Sequence, residues 1–153
     1  MSIEPLLPED LTIAPDDPHH ALEGFDPTWP YRSVSLLDPR LYFVRLFHTQ
    51  HHDDAETNAL ELGRKIAEGG YKGLVMDYRR ATLNHDGHGF GKVADAFAAN
   101  FPKSLLIAYI CDEDTWPYAR LMTAMLKAYD LKTTVKRDFD SARTAIVGQL
   151  KAA

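Results

Sequence analysis

Histidines stand among carboxylates and amides in two short stretches of this chain: His48, Gln50, His51, His52, Asp53 and Asp54, then Asn84, His85, Asp86 and His88. A third polar run, Cys111-Asp112-Glu113-Asp114, comes later. Neutral imidazole with carboxylate is a ligand set that suits zinc and other transition metals, and imidazole also carries protons near neutral pH. One reading is therefore a metal-dependent enzyme. The spacing does not support a fixed constellation, because His48 and His51, or His85 and His88, stand three apart in expected loops, where no common direction is imposed as it would be on a helix. The preferred reading is plainer: Asp53, Asp86, Asp112 and Asp114 complement the positive ends of helices, and the histidines are solvated loop residues.

Two further patterns resemble chemistry and are better explained without it. Gly87, Gly89 and Gly91 precede a helical pattern, but the full Gly-x-Gly-x-x-Gly phosphate motif is absent and Asp86 would repel an anion. Cys111 ends an apolar run beside acids that disfavour a thiolate, and no Ser-His-Asp or Cys-His order accompanies it, so a nucleophilic enzyme is not indicated. Met122 and Met125, with Trp116, Tyr118 and Tyr129, could face a partner or an apolar ligand; methionine at helical spacing is more often core filling.

The elements that must position these residues follow from periodicity. Residues 1–30 hold six of the nine prolines and no helical or strand period, so they form an N-terminal arm, and the domain proper is 31–153. Tyr31–Leu37 and Leu41–Phe47 read as a hairpin around Asp38-Pro39. A helix capped by Asp53 or Asp54, with Glu56 and a stripe of Ala59, Leu62 and Ile66, ends at Gly69-Gly70. Leu74-Val-Met-Asp77 is a buried strand; after a polar loop from Asn84 to Gly91, the stripe Phe90, Val93, Ala94, Phe97 and Phe101 marks a covering helix. Leu105–Ile110 is the most continuously apolar strand, and Thr115-Trp-Pro117 opens a helix whose expected core face is Leu121, Met122, Met125 and Leu126. A last strand, Thr133–Phe139, precedes a helix capped by Asp140 or Ser141 and carrying Ala142, Ala145, Ile146 and Leu150. Strands about thirty residues apart, joined through helices, predict right-handed crossovers. The expectation is an α/β domain with a mixed, mostly parallel five-stranded sheet in sequential order, an N-terminal hairpin and four covering helices.

Composition sets outer limits. With 45% hydrophobic and 25% charged residues in 153, the chain has the make-up of one globular domain, and a net charge of −5 argues against general nucleic-acid binding. A single cysteine excludes an intrachain disulfide, and no apolar run reaches spanning length, so the expected location is the cytoplasm with no transmembrane segment.

A hairpin followed by helix–strand repeats, with Leu74-Val-Met-Asp77, the loop Asp86-Gly-His-Gly89 and the ending Phe139-Asp-Ser-Ala-Arg-Thr-Ala145, resembles the anti-sigma-factor antagonist (STAS, SpoIIAA-like) domains over Tyr31 to Leu150. The resemblance implies a non-enzymatic regulatory module without a cofactor or metal, acting on a protein partner and open to homodimer formation. It also implies a docking site at Asn84, His85, Asp86, Gly87, His88 and Gly89. In signalling members the loop carries a phosphorylated serine; here Gly87 and His88 stand at the corresponding positions, so that switch is lost. Some SpoIIAA-like relatives resemble lipid carriers, which makes lipid or small-molecule binding a further alternative. Asp53, Asp54 and Asp77 also resemble a receiver domain's acidic pocket, a third reading that requires a strand order switching at the middle of the sheet.

Overall fold

The computed structural model describes the backbone of residues 31–35, 40–51, 54–84 and 87–152, and side chains within 40–46, 54–82 and 89–151. Residues 1–30, expected as an N-terminal arm, residues 36–39, expected to hold the Asp38-Pro39 turn, and His52, Asp53, His85 and Asp86 lie outside the described residues.

β1 (Tyr31–Ser35) runs antiparallel to β2 (Leu41–His51), which then pairs in parallel with β3 (Gly73–Asn84). β4 (Leu106–Ile110) and β5 (Lys132–Lys136) continue the parallel set. The strand order is sequential, β1-β2-β3-β4-β5, so four parallel strands carry an antiparallel strand at one edge. A receiver's switched order is thereby ruled out. Among the described residues four helices cover the sheet: α1 (Ala55–Gly69), α2 (Gly87–Asn100), α3 (Trp116–Lys127) and α4 (Phe139–Ala152).

Alternation along each strand sorts the apolar residues between two layers. Tyr42, Val44, Leu74, Met76, Ile107 and Tyr109 pack under α1, α2 and α3. Leu41, Phe43, Val75, Ala108 and Ile110 pack with Phe139, Ala142 and Ile146 of α4 on the other side. Both faces being covered, the middle strands are near-continuously apolar, as parallel strands are.

The helices follow their expected stripes with local corrections. Ala59, Leu62 and Ile66 are buried in α1, which ends at Gly70 in the left-handed region (φ 66°), where glycine has no Cβ to clash. A Cβ at Gly63 would collide with the Asn100 carbonyl, so this glycine sets how closely α1 approaches the end of α2. In α3 the buried positions are Ala119, Met122 and Leu126, and Leu121 is exposed, contrary to its expected place in the core. The reason is angular: 119, 122 and 126 form one stripe, and 121 lies about 100° round from 122. β4 begins at Leu106 and β5 stops at Lys136. Phe139 opens α4 instead of closing β5, because Asp138 is the cap, its Oδ1 accepting the Ser141 N–H at 2.7 Å, while Phe139 meets Phe43 edge-on at 5.7 Å.

Candidate functional site

The loops that follow parallel strands gather at one edge, where ligands of open α/β sheets usually bind. Here that edge is extended. β4 ends opposite Asp77, but β2 and β3 stay paired to His51 and Asn84, so Phe47–His51 and Arg80–Asn84 form a two-stranded ribbon beyond the sheet. The register shifts at its root: Arg45 is opposite Asp77 and Phe47 opposite Arg80, leaving one extra residue in β3. Such a bulge bends the strand and re-aims its side chains.

Asp77 holds the bulge in place. Its Oδ1 accepts the Arg79 backbone N–H and Nε–H, each at 3.0 Å, and its Oδ2 accepts Arg45 Nε–H at 3.0 Å and Arg79 Nη2–H at 2.9 Å. Four acceptor sites are thus filled by four donors, with Arg45 2% and Asp77 1% exposed. Arg45 also lies 5.2 Å from the Phe43 ring centroid. A carboxylate so saturated has no lone pair left for a metal or a substrate proton. Its work is to fix the ribbon.

The other face of the same edge holds a neutral cavity of about 20 Å³ between the sheet, α2 and α3. Tyr78, Tyr109 and Cys111 line it from the strands, Phe90 from α2, and Tyr118 and Met122 from α3. The Tyr78 and Tyr109 rings lie 5.4 Å apart, and Phe90 stacks on Tyr118 at 5.3 Å. Burial, with the neighbouring Tyr78 and Cys111 adding to it, raises the Tyr109 hydroxyl well above the ordinary phenol range. Burial chiefly, with Asp77 and Asp112, pushes the Cys111 thiol up to about 12, so it is protonated and unreactive at neutral pH. The β4–α3 turn below the cavity is closed on itself: Thr115 N–H and Oγ1–H both donate to Asp112 Oδ1 at 3.0 Å, and Asp112 N–H donates to Thr115 Oγ1 at 3.1 Å.

The sequence-predicted site residues are placed differently from the expected loops. His48, Gln50 and His51 belong to β2, not to a loop after it, and Asn84 is the last residue of β3, in register with His51. Gly87, His88 and Gly89 form the first turn of α2, which starts three residues before Phe90. The connection itself shrinks to His85 and Asp86, both outside the described residues. Ribbon pairing explains the shift, since it consumes on β2 and β3 the residues read as loop. Among the described residues no three His, Cys, Asp or Glu side chains converge as metal ligands. No helix among them is long and apolar enough to cross a membrane.

Two features escaped sequence reasoning. The Arg45–Asp77–Arg79 cluster had a signal, a charge inside the apolar run Leu41–Phe47 and another directly after the run Leu74–Met76, because a buried charge needs a partner. Tyr109, inside the most apolar strand, read only as core.

No protein-family model matches the chain, and no curated protein matches it. Among solved structures, the fold is similar to the crystal structure of an anti-sigma factor antagonist from Mycobacterium paratuberculosis. The TM-score is 0.53 at 14% identity, over 76% of this chain and 93% of that one. The unphosphorylated form of the anti-sigma factor antagonist SpoIIAA aligns with a TM-score of 0.46 at 13% identity, over 80% of this chain and 99% of that one. The first likeness shows that the chain shares the fold of an anti-sigma factor antagonist, in agreement with the fold that the sequence resemblance implied.

Proposed function

We propose that this SpoIIAA-like chain is a non-enzymatic, cytoplasmic regulatory module that binds a protein partner through Asn84, His85, Asp86, Gly87, His88 and Gly89. The observation that carries the reading is the shared fold with an anti-sigma factor antagonist, a protein named for its action on another protein. Supporting it, the junction of β3 and α2 stands at the C-terminal edge of the sheet, on the end of a ribbon that projects past β4. Surface junctions of this kind carry function more often than the elements they join. Gly87 offers no hydroxyl, so binding here is not switched by phosphorylation at that position. The ion cluster at Asp77 serves the same end by giving the ribbon a fixed root, so the docking residues are presented at little entropic cost.

Quantitative capture of a partner from native lysate by the wild-type chain and by the double variant His85→Ala/His88→Ala tests this. The variant should keep its melting temperature within about 2 °C, the shift that roughly 0.5 kcal/mol produces in a domain of this size, and should lose most of the captured partner. A strongly destabilised variant that still binds normally per folded molecule would show these histidines to be structural and the reading wrong.

A further inference from the structure

Among the described residues, α3 is the helix whose solvent side is apolar. The exposed residues of α1 include Glu56, Glu61, Arg64 and Glu68, and those of α4 include Asp140, Ser141, Thr144 and Gln149. On α3, by contrast, Pro117, Tyr118, Leu121 and Ala124 are exposed, while Ala119, Met122 and Leu126 face the core. A helix that is apolar all round is normally covered all round. Tyr118 is 36% and Leu121 39% exposed, and the Tyr118 ring is held in place by its stack on Phe90. The charge on this helix is positive only, from the exposed Arg120 and Lys127, and neither has an ion-pair partner among the described residues.

The sequence divides its charge in a complementary way. All 17 lysines and arginines lie in 31–153, whereas residues 1–30 hold seven of the 22 acids, so the arm stands at −7 and the domain, with the other 15 acids, at +2. Within the arm, Pro5-Leu-Leu-Pro-Glu-Asp-Leu-Thr-Ile13 sets Glu9 and Asp10 between the apolar pairs Leu6, Leu7 and Leu11, Ile13. Prolines three apart, as Pro5 and Pro8 are, suit the extended polyproline form that aromatic surfaces bind at low entropic cost. Reach is sufficient. The 17 residues from Ala14 to Pro30 can span about 55 Å, whereas the sheet from β1 to β5 is crossed in four strand spacings of about 4.8 Å.

We propose that the segment Pro5–Ile13 docks on the outer face of α3 in the same molecule, its leucines against Tyr118, Leu121 and Ala124, and Glu9 and Asp10 toward Arg120 and Lys127. Burial of the leucines supplies the attraction, and the opposite charges fix where on the helix the segment lies. The surface is separate from Asn84–Gly89, and partner binding there is no part of the inference.

Nuclear Overhauser contacts in the full-length protein, labelled at leucine methyls, test this. The methyls of Leu6, Leu7 and Leu11 should contact the Tyr118 ring and Leu121, and the contacts should persist on dilution. Leu121→Glu, a change at an exposed position, should abolish them without moving the amides of α1 and α4. Reversing the arm's charge with Glu9→Lys/Asp10→Lys should speed hydrogen exchange at the amides of Leu6, Leu7 and Leu11 about tenfold. Adding Arg120→Glu/Lys127→Glu to that variant should restore the protection. Absence of the contacts, their loss on dilution, which would place the arm on a second copy, or unchanged exchange across the charge variants overturns the proposal. If Leu121→Glu disturbs α3 itself, the charge swap decides alone, since it alters exposed side chains of the helix and keeps its apolar residues.

Discussion

Asp77 and Tyr78 are neighbours in β3, yet strand alternation sends them to opposite faces of the same sheet edge. On the α4 side, Asp77 gathers two arginines and fills every acceptor position it has. On the α2–α3 side, Tyr78 and Tyr109 border a cavity, and the Tyr109 hydroxyl is buried with no hydrogen-bond partner among the described residues. The Asp77 carboxylate is thereby closed and structural, since an acceptor with every lone pair filled has nothing to offer a ligand. The second region carries no formal charge, and the Tyr109 hydroxyl buried there bears its desolvation cost. On the second side Tyr78, Tyr109 and Cys111 all titrate above their ordinary values, and the cause is burial more than any neighbouring charge.

Removing the shared carboxylate tests the contrast most severely. Asp77→Ala leaves Arg45 and Arg79 in the interior without the counter-charge that holds them, and breaking a buried ion pair from one side costs about 3–5 kcal/mol. That is a large part of the 5–15 kcal/mol typical of a whole domain. The urea midpoint should fall accordingly, and the amides of Arg80–Asn84 should lose hydrogen-exchange protection first, because the bulge loses the acceptor of the Arg79 N–H. A loss below about 1 kcal/mol, in the range of exposed pairs, would show that the cluster does not hold the ribbon.

A smaller, pH-dependent effect belongs to the cavity side. The Cys111 thiol is raised from its ordinary value near 9 to about 12 in the folded protein. The folded state therefore keeps its proton where the unfolded state has lost it, so this group's contribution is fully present below about pH 9 and is lost progressively up to about pH 12. The slope is at most about 1.4 kcal/mol per pH unit. Tyr78 and Tyr109 act in the same direction, so the comparison must be with Cys111→Ala, each protein referred to its own stability at pH 8. The variant should decline less steeply from pH 9 upward. Parallel curves would mean that the thiolate is accommodated and the cavity is wetter than its lining suggests.

How far the sequence could lead is seen in the same two regions. The stripes that cover the sheet, Phe90-Val93-Ala94-Phe97 and Ala59-Leu62-Ile66, were legible because burial obeys helical period, and the parallel order followed from strand spacing. The ribbon was missed on one side because residues 48–51 are polar throughout and pair through their backbones, and on the other because the short alternation of Ala81 and Leu83 with Arg80, Thr82 and Asn84 was read as the start of a loop. The proposed docking residues were consequently read as one long loop, whereas Asn84 ends a strand and Gly87, His88 and Gly89 begin a helix. Asp77 was noticed as a late-strand acid, but its partners stand 32 and two residues away, and no local pattern connects the first of them. Tyr109 could not be singled out at all, because whether a buried hydroxyl has a partner is a property of packing and not of sequence.

The smallest expected effect separates the two regions most cleanly. If the Tyr109 hydroxyl has no partner in the free protein, Tyr109→Phe deletes a desolvated donor while keeping the ring that packs against Tyr78. Replacing a satisfied buried hydroxyl costs about 0.5–1.5 kcal/mol, whereas removing an unsatisfied one is neutral or stabilising. The stability measured by urea unfolding at pH 7 should therefore change by less than about 0.5 kcal/mol, or rise, in contrast to the loss at Asp77 on the opposite face of the neighbouring strand. A loss of about 1 kcal/mol or more would place a hydrogen bond at that hydroxyl in the free protein and would make the cavity side as closed as the ion cluster.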